Sequence, residues 1–167
     1  MHIIYTAPHS PWGIFATLIR LFTKLKNQKL ADTPSHMALV FPNKIVLEAR
    51  GGGVRLTYLD HFTQKNRILC AFVRVEDGPN SDTRLRWALD KFYGKKYDFY
   101  AIFWWACFLL RYKLFGMDIP QMSKWQDKHD FYCSELFEIS GINDYTYLDP
   151  NSQMLAAMKD PRLKRIK

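Results

Sequence analysis

The chain switches repeatedly between two hydrophobic patterns, and the switches outline its elements. His2 to Thr6 reads as a short strand, and Pro8, Ser10, Pro11 and Gly13 form a turn. From Trp12 to Lys26 the apolar residues take helical spacing. Ile14, Leu18, Leu21, Phe22 and Leu25 make one stripe, with Arg20, Lys24 and Lys26 opposite. Asn27 to Pro34 is a polar loop. Ser35 to Phe41 and Ile45 to Ala49 are apolar runs around Pro42-Asn43-Lys44, the pattern of a β-hairpin. The three glycines at 51–53 permit a bulge or sharp bend. Val54 to Tyr58 reads as another short strand, Leu59 to Gln64 as a turn or short helix, and Ile68 to Val75 as a buried strand. A helix capped by Ser81 or Asp82 runs to about Tyr93 and stops at Gly94. A second, from Phe99 to about Phe115, is apolar nearly all round, as a buried helix is, with a membrane-surface or partner contact as the alternative reading. Gly116 to Lys128 is a loop. A helix over 130–140 follows, and then an irregular tail with a short helix near Gln153 to Met158. The pattern predicts an α+β fold, an antiparallel sheet packed by helices. No repeat or linker divides it, so residues 1–167 are read as one domain.

Composition narrows the class. Apolar residues make up 48% and charged residues 24% of the 167, the balance of an ordinary globular chain. Aromatic residues, at 16%, point to a core or groove rich in rings. The net charge of +8 favours anionic partners: nucleic acid, anionic lipid or a cell-wall polymer. The basic residues are spread along the chain and densest in the tail, and no nucleic-acid motif accompanies them, so they are read as a solvated surface. Cys70, Cys107 and Cys133 are odd in number and lack metal-ligand spacing, which predicts free thiols in a reducing compartment, with no metal or other cofactor. Cys70 and Cys107 are assigned to the core. No signal peptide is read at the N-terminus. The apolar run Ala101 to Leu110 is far short of the roughly 20 residues a membrane span needs.

The chemistry centres on Cys133. Leu136, Phe137 and Ser140 follow it at three, four and seven residues, so it shares their helix face. A thiol in a first helical turn sits in the positive end of the backbone dipole, which favours the thiolate. Asp130 is a candidate N-cap. A nucleophilic thiol needs a base, and the base needs an orienting group. The hairpin supplies both: with its turn centred on Pro42, His36 faces Glu48, and directly opposed side chains on a sheet lie about 4.5–5.5 Å apart at Cβ. A two-residue slip keeps a diagonal contact, whereas a one-residue slip puts Glu48 on the other face. His61 beside Asp60 is the backup pair. His2 and His9 lie near the terminus, and His129 precedes the helix turn.

Four stretches in this order resemble a known family. They are Ser35-His36-Met37-Ala38-Leu39-Val40; Glu48-Ala49 with Gly52-Gly53-Val54; Gly94-Lys95-Lys96-Tyr97-Asp98; and Tyr132-Cys133-Ser134-Glu135-Leu136. Together they are similar to the permuted NlpC/P60 papain-like cysteine hydrolases of the YaeF/YiiX type, over roughly residues 2 to 140. The resemblance implies a circularly permuted papain-like fold, in which the histidine and acidic strands precede the cysteine helix. It implies Cys133 as nucleophile, His36 as general base and Glu48 as orienting residue. The Cys133 amide would be one oxyanion donor. Tyr97 or Tyr132 would line the substrate site; packing of either ring is the plainer alternative.

By this resemblance the expected activity is that of an amidase or peptidase on cell-wall-type peptides, through an acyl-enzyme. A lipid-directed acyl hydrolase or transferase at a membrane surface is the second reading. A catalytically silent protein that binds a host partner is the third. The expected partner is a peptide, or an acyl amide or ester, with peripheral membrane contact under the second reading and no specific nucleic acid. The expected compartment is the cytoplasm of a bacterium or of a phage-infected cell.

Overall fold

The computed structural model describes residues 1–10, 14–75, 81–96, 107, 111, 115, 136, 139 and 149–167. Within them a mixed α+β architecture is built on one sheet. Its strands are β1 (His2–Pro8), β2 (His36–Val40), β3 (Ile45–Arg50), β4 (Gly53–Tyr58), β5 (Asn66–Arg74) and β6 (Leu163–Arg165). All neighbours are antiparallel, in the order β4-β3-β2-β1-β5-β6. The described helices are α1 (Ile14–Thr23), α2 (Leu59–Lys65), α3 (Ser81–Phe92) and α4 (Pro150–Ala157). None of them is long and apolar enough to cross a membrane.

Alternation along the strands sorts side chains between two cores. Ile3, Tyr5, Met37, Leu39, Leu47, Ala49, Cys70 and Phe72 join one buried cluster with Ala88 and Phe92 of α3 and Met154 and Ala157 of α4. Tyr5 and Phe72 meet edge to face, with ring centroids 5.9 Å apart. The intervening residues Ile4, Ala38, Val40, Val46 and Ala71 form a second, smaller cluster closed by Phe62 of α2. Burying a side chain of that size stabilises the fold by about 1.5–3 kcal/mol. α3 presents Leu85, Ala88, Leu89 and Phe92 to the larger core at helical spacing and ends at Gly94, whose φ of +76° suits a residue without Cβ.

Several elements differ from the sequence expectation. The β2–β3 ladder pairs Ala38 with Glu48, a two-residue slip. The turn is centred on Asn43 rather than Pro42. Asn43 and Lys44 adopt φ of +64° and +60°, and the Phe41 amide donates to the Ile45 carbonyl at 2.7 Å. α4 starts three residues early because Asp149 caps it, accepting from the amides of Asn151 and Ser152, with Pro150 in the first turn. The tail holds β6, whose single buried residue, Leu163, leaves no alternation to read.

α1 is turned the other way from an ordinary surface helix: its buried residues are Arg20 and Thr23. Cys70 is in the core, as assigned, but Cys107 is only partly buried. Phe115 is 72% exposed. Apart from positions 107, 111 and 115, the helix read from Phe99 to about Phe115 lies outside the described residues, as does the loop read over 116–128.

Candidate active site

His36 opens β2 and Glu48 sits in β3, both on the α2 face of the sheet. Thr6 of β1 stands opposite His36, and the Thr6 carbonyl accepts from the Ser35 amide at 3.0 Å, fixing where the strand begins. The imidazole lies 6.3 Å from the Phe62 ring, centre to centre. Its Nε2 is 3.1 Å from Glu48 Oε2, with both side chains buried. The contact is the diagonal one that the two-residue slip leaves open.

Glu48 has two further partners. Arg55 stands directly opposite on β4 and donates from Nε and Nη2 to Oε1, at 3.0 and 2.9 Å. Arg50, two residues along β3, places Nε 3.5 Å from Oε2. Burial pushes the carboxyl pKa up. The hydrogen bond and charge of His36, the charge of Arg50 and the hydrogen bonds of Arg55 outweigh it and hold the pKa at about 2. An ionised carboxylate can only accept, so Nε2 of His36 carries the proton and, in the neutral ring, Nδ1 carries the lone pair. Chemically, such a pair can serve as a base of defined tautomer, backed by a carboxylate able to stabilise the imidazolium.

Arg50 and Arg55 were not picked out from the sequence, yet a signal for Arg55 exists. Gly51-Gly52 is a two-residue hairpin loop that pairs Arg50 with Gly53 and so sets Arg55 against Glu48. The backup pair does not assemble. Asp60 and His61 are exposed neighbours on α2, and adjacent helical residues do not face each other. Asp60 instead has Lys44 at 3.9 Å. His9 binds the Thr63 carbonyl at 3.0 Å. Cys133, Tyr97, Tyr132 and His129 lie outside the described residues.

Leu136 and Ile139, downstream of Cys133, are buried in the larger cluster, and Arg84 of α3 donates to the Ile139 carbonyl at 2.9 Å. Among the described residues no group of three His, Cys, Asp or Glu could hold a metal ion. Comparison with protein-family models, with curated proteins and with solved structures finds no match for this chain.

Proposed function

We propose that this protein is a cysteine hydrolase of permuted papain-like fold, acting as an amidase or peptidase on cell-wall-type peptides. The observation that carries the reading is the buried pair of His36 and ionised Glu48. The cysteine, the strand order and the substrate class rest on the resemblance to the permuted NlpC/P60 hydrolases. Because Leu136 and Ile139 pack on the other face of the sheet, the reading requires the chain to bring Cys133 to the imidazole past the end of β2. His36 is the first residue of that strand.

In this mechanism Nδ1 of His36 takes the thiol proton, giving thiolate and imidazolium. The thiolate attacks the carbonyl carbon, and backbone amides hold the oxyanion. As the C–N bond breaks, the imidazolium returns its proton to the leaving amine and a thioester remains. Water, losing a proton to His36, then cleaves the thioester and restores the thiol. Glu48 stays ionised throughout and keeps the ring oriented.

Iodoacetamide labelling across pH, read by mass spectrometry, tests the proposal. Cys133 is expected to react below neutral pH, faster than Cys70 and Cys107, and to lose that preference in His36→Ala. Equal, slow labelling of all three cysteines would overturn it.

A further inference from the structure

α1 carries most of its large apolar side chains outward, while Ile19 and Phe22 are half-buried. Ile14, Leu18, Leu21 and Leu25 follow one another at four, three and four residues, a single face of the helix and the turn after it. With Phe15 beside them, their exposure runs from 38% at Leu18 to 72% at Ile14. The orientation is fixed by hydrogen bonds on the opposite, polar face. Arg20 donates from Nε to the carbonyls of Leu30 and Thr33, both at 3.1 Å. Asn151 of α4, fully buried, donates to the Thr23 carbonyl at 2.8 Å. Asn151 and Gln28 also exchange reciprocal amide hydrogen bonds at 2.9 Å. Turning the stripe inward would break all of these, so the outward face is built into the fold.

The chain leading into and through the stripe carries charge of one sign. No acidic residue occurs before Asp32, while Lys24, Lys26 and Lys29 follow closely on the stripe. Lys26 and Lys29 are exposed. We propose that α1 docks the protein on an anionic lipid bilayer, its leucine and isoleucine stripe entering the headgroup–acyl boundary and its lysines meeting lipid phosphates. Apolar side chains flanked by lysine are what such a boundary accepts. Protein–protein interfaces, by contrast, are depleted in lysine, and a second copy of a chain of charge +8 brings like charges together. α1 also lies near the end of the sheet that holds His36, since Arg20 grips Thr33, three residues before it. Docking therefore brings that end toward the membrane. This last consequence, substrate met at a lipid surface, rests on the hydrolase reading; the docking itself does not.

The test is co-sedimentation of the full chain with vesicles of phosphatidylcholine alone or mixed with phosphatidylglycerol. Binding is expected to the anionic vesicles, to weaken as salt rises, and to fall on the order of tenfold or more in Leu18→Glu/Leu21→Glu. Lys26→Glu/Lys29→Glu should lose the salt-sensitive part. The stripe is exposed, so circular dichroism and urea unfolding of the leucine double variant should match the parent; if it does not fold, Leu18→Ser is expected to weaken binding in the same direction. Cys133→Ala should bind like the parent, which separates this proposal from the fate of the hydrolase reading. Three results would overturn it: no preference for anionic vesicles, binding indifferent to the stripe, or a dimer in light scattering that the leucine variant dissolves while no vesicle binding is seen.

Discussion

Glu48 stands opposite Ala38 in the β2–β3 ladder, yet its Oε2 lies 3.1 Å from Nε2 of His36, two residues further along. A glutamate side chain and an imidazole together are long enough to span the diagonal. The other oxygen is held by both donors of Arg55, so the carboxylate cannot swing away without breaking those bonds.

Glu48→Gln tests what this geometry does. The amide keeps the shape but presents an NH2 where a carboxylate oxygen was, so the tautomer of His36 is no longer enforced. Iodoacetamide labelling of Cys133 near neutral pH is expected to slow on the order of tenfold or more, with the labelling of Cys70 unchanged. Parent-like labelling would show that Glu48 serves only the fold.

The acid limb of stability carries a second signature. The folded-state pKa of Glu48, about 2, lies below its ordinary value of 4.5. The stabilisation is therefore complete above the ordinary value and fades as pH drops from about 4.5 toward 2. The difference corresponds to about 3 kcal/mol. Urea unfolding of the parent should lose this much over that window. Glu48→Gln should lose less, since glutamine does not titrate.

Much of the fold was legible because local pattern and tertiary placement agreed. The five longer strands, α1 and α3 follow from runs, stripes and stop signals. The hairpin register was legible only to within the slip, because Pro42 and Asn43 both mark turns and only the positive φ of Asn43 and Lys44 decides the centre. The facing of α1 was not legible at all. A stripe at helical spacing says which residues share a face, and only the bonds of Arg20 to the Leu30 and Thr33 carbonyls and of Asn151 to the Thr23 carbonyl say where that face points. His36 and Glu48 could be named from sequence because both lie on one hairpin. Arg55 was one further hairpin away.

Gly53 is held where no other residue fits. Its φ is +102°, and an added Cβ would lie 2.5 Å from the Lys95 carbonyl oxygen. That carbonyl accepts from the Val54 amide, and the Val54 carbonyl accepts from Gly94, tying the 94–96 loop to the edge of β4 next to Arg55. Gly53→Ala is expected to destabilise the fold by about 1–3 kcal/mol. The Val54 and Gly94 amides should then exchange faster with deuterium than those of β1.

Cys70 should be the least reactive thiol of the described residues. It is 1% exposed, burial pushes its pKa up, and its Sγ donates to the Lys167 carbonyl at 3.2 Å. In native protein its labelling is expected to be far slower than that of Cys107, and in urea the two should become alike. Removing residues 163–167 deletes β6 and that carbonyl, and should expose the thiol to reagent.

Asn151 joins α4 to α1, and its loss should show in both. Its amide donates to the Thr23 carbonyl and pairs reciprocally with Gln28. Asn151→Ala leaves a buried carbonyl and an amide without their partner, at a cost of about 1–3 kcal/mol. Asn151→Asp should cost at least as much, because a carboxylate accepts from Gln28 but cannot donate to Thr23. Urea unfolding gives the cost, and hydrogen exchange gives its location: amides of α1 should lose protection while those of β2 and β3 keep theirs. Uniform loss of protection across the sheet would instead make Asn151 a support of the whole core and not the pin that sets the rotation of α1.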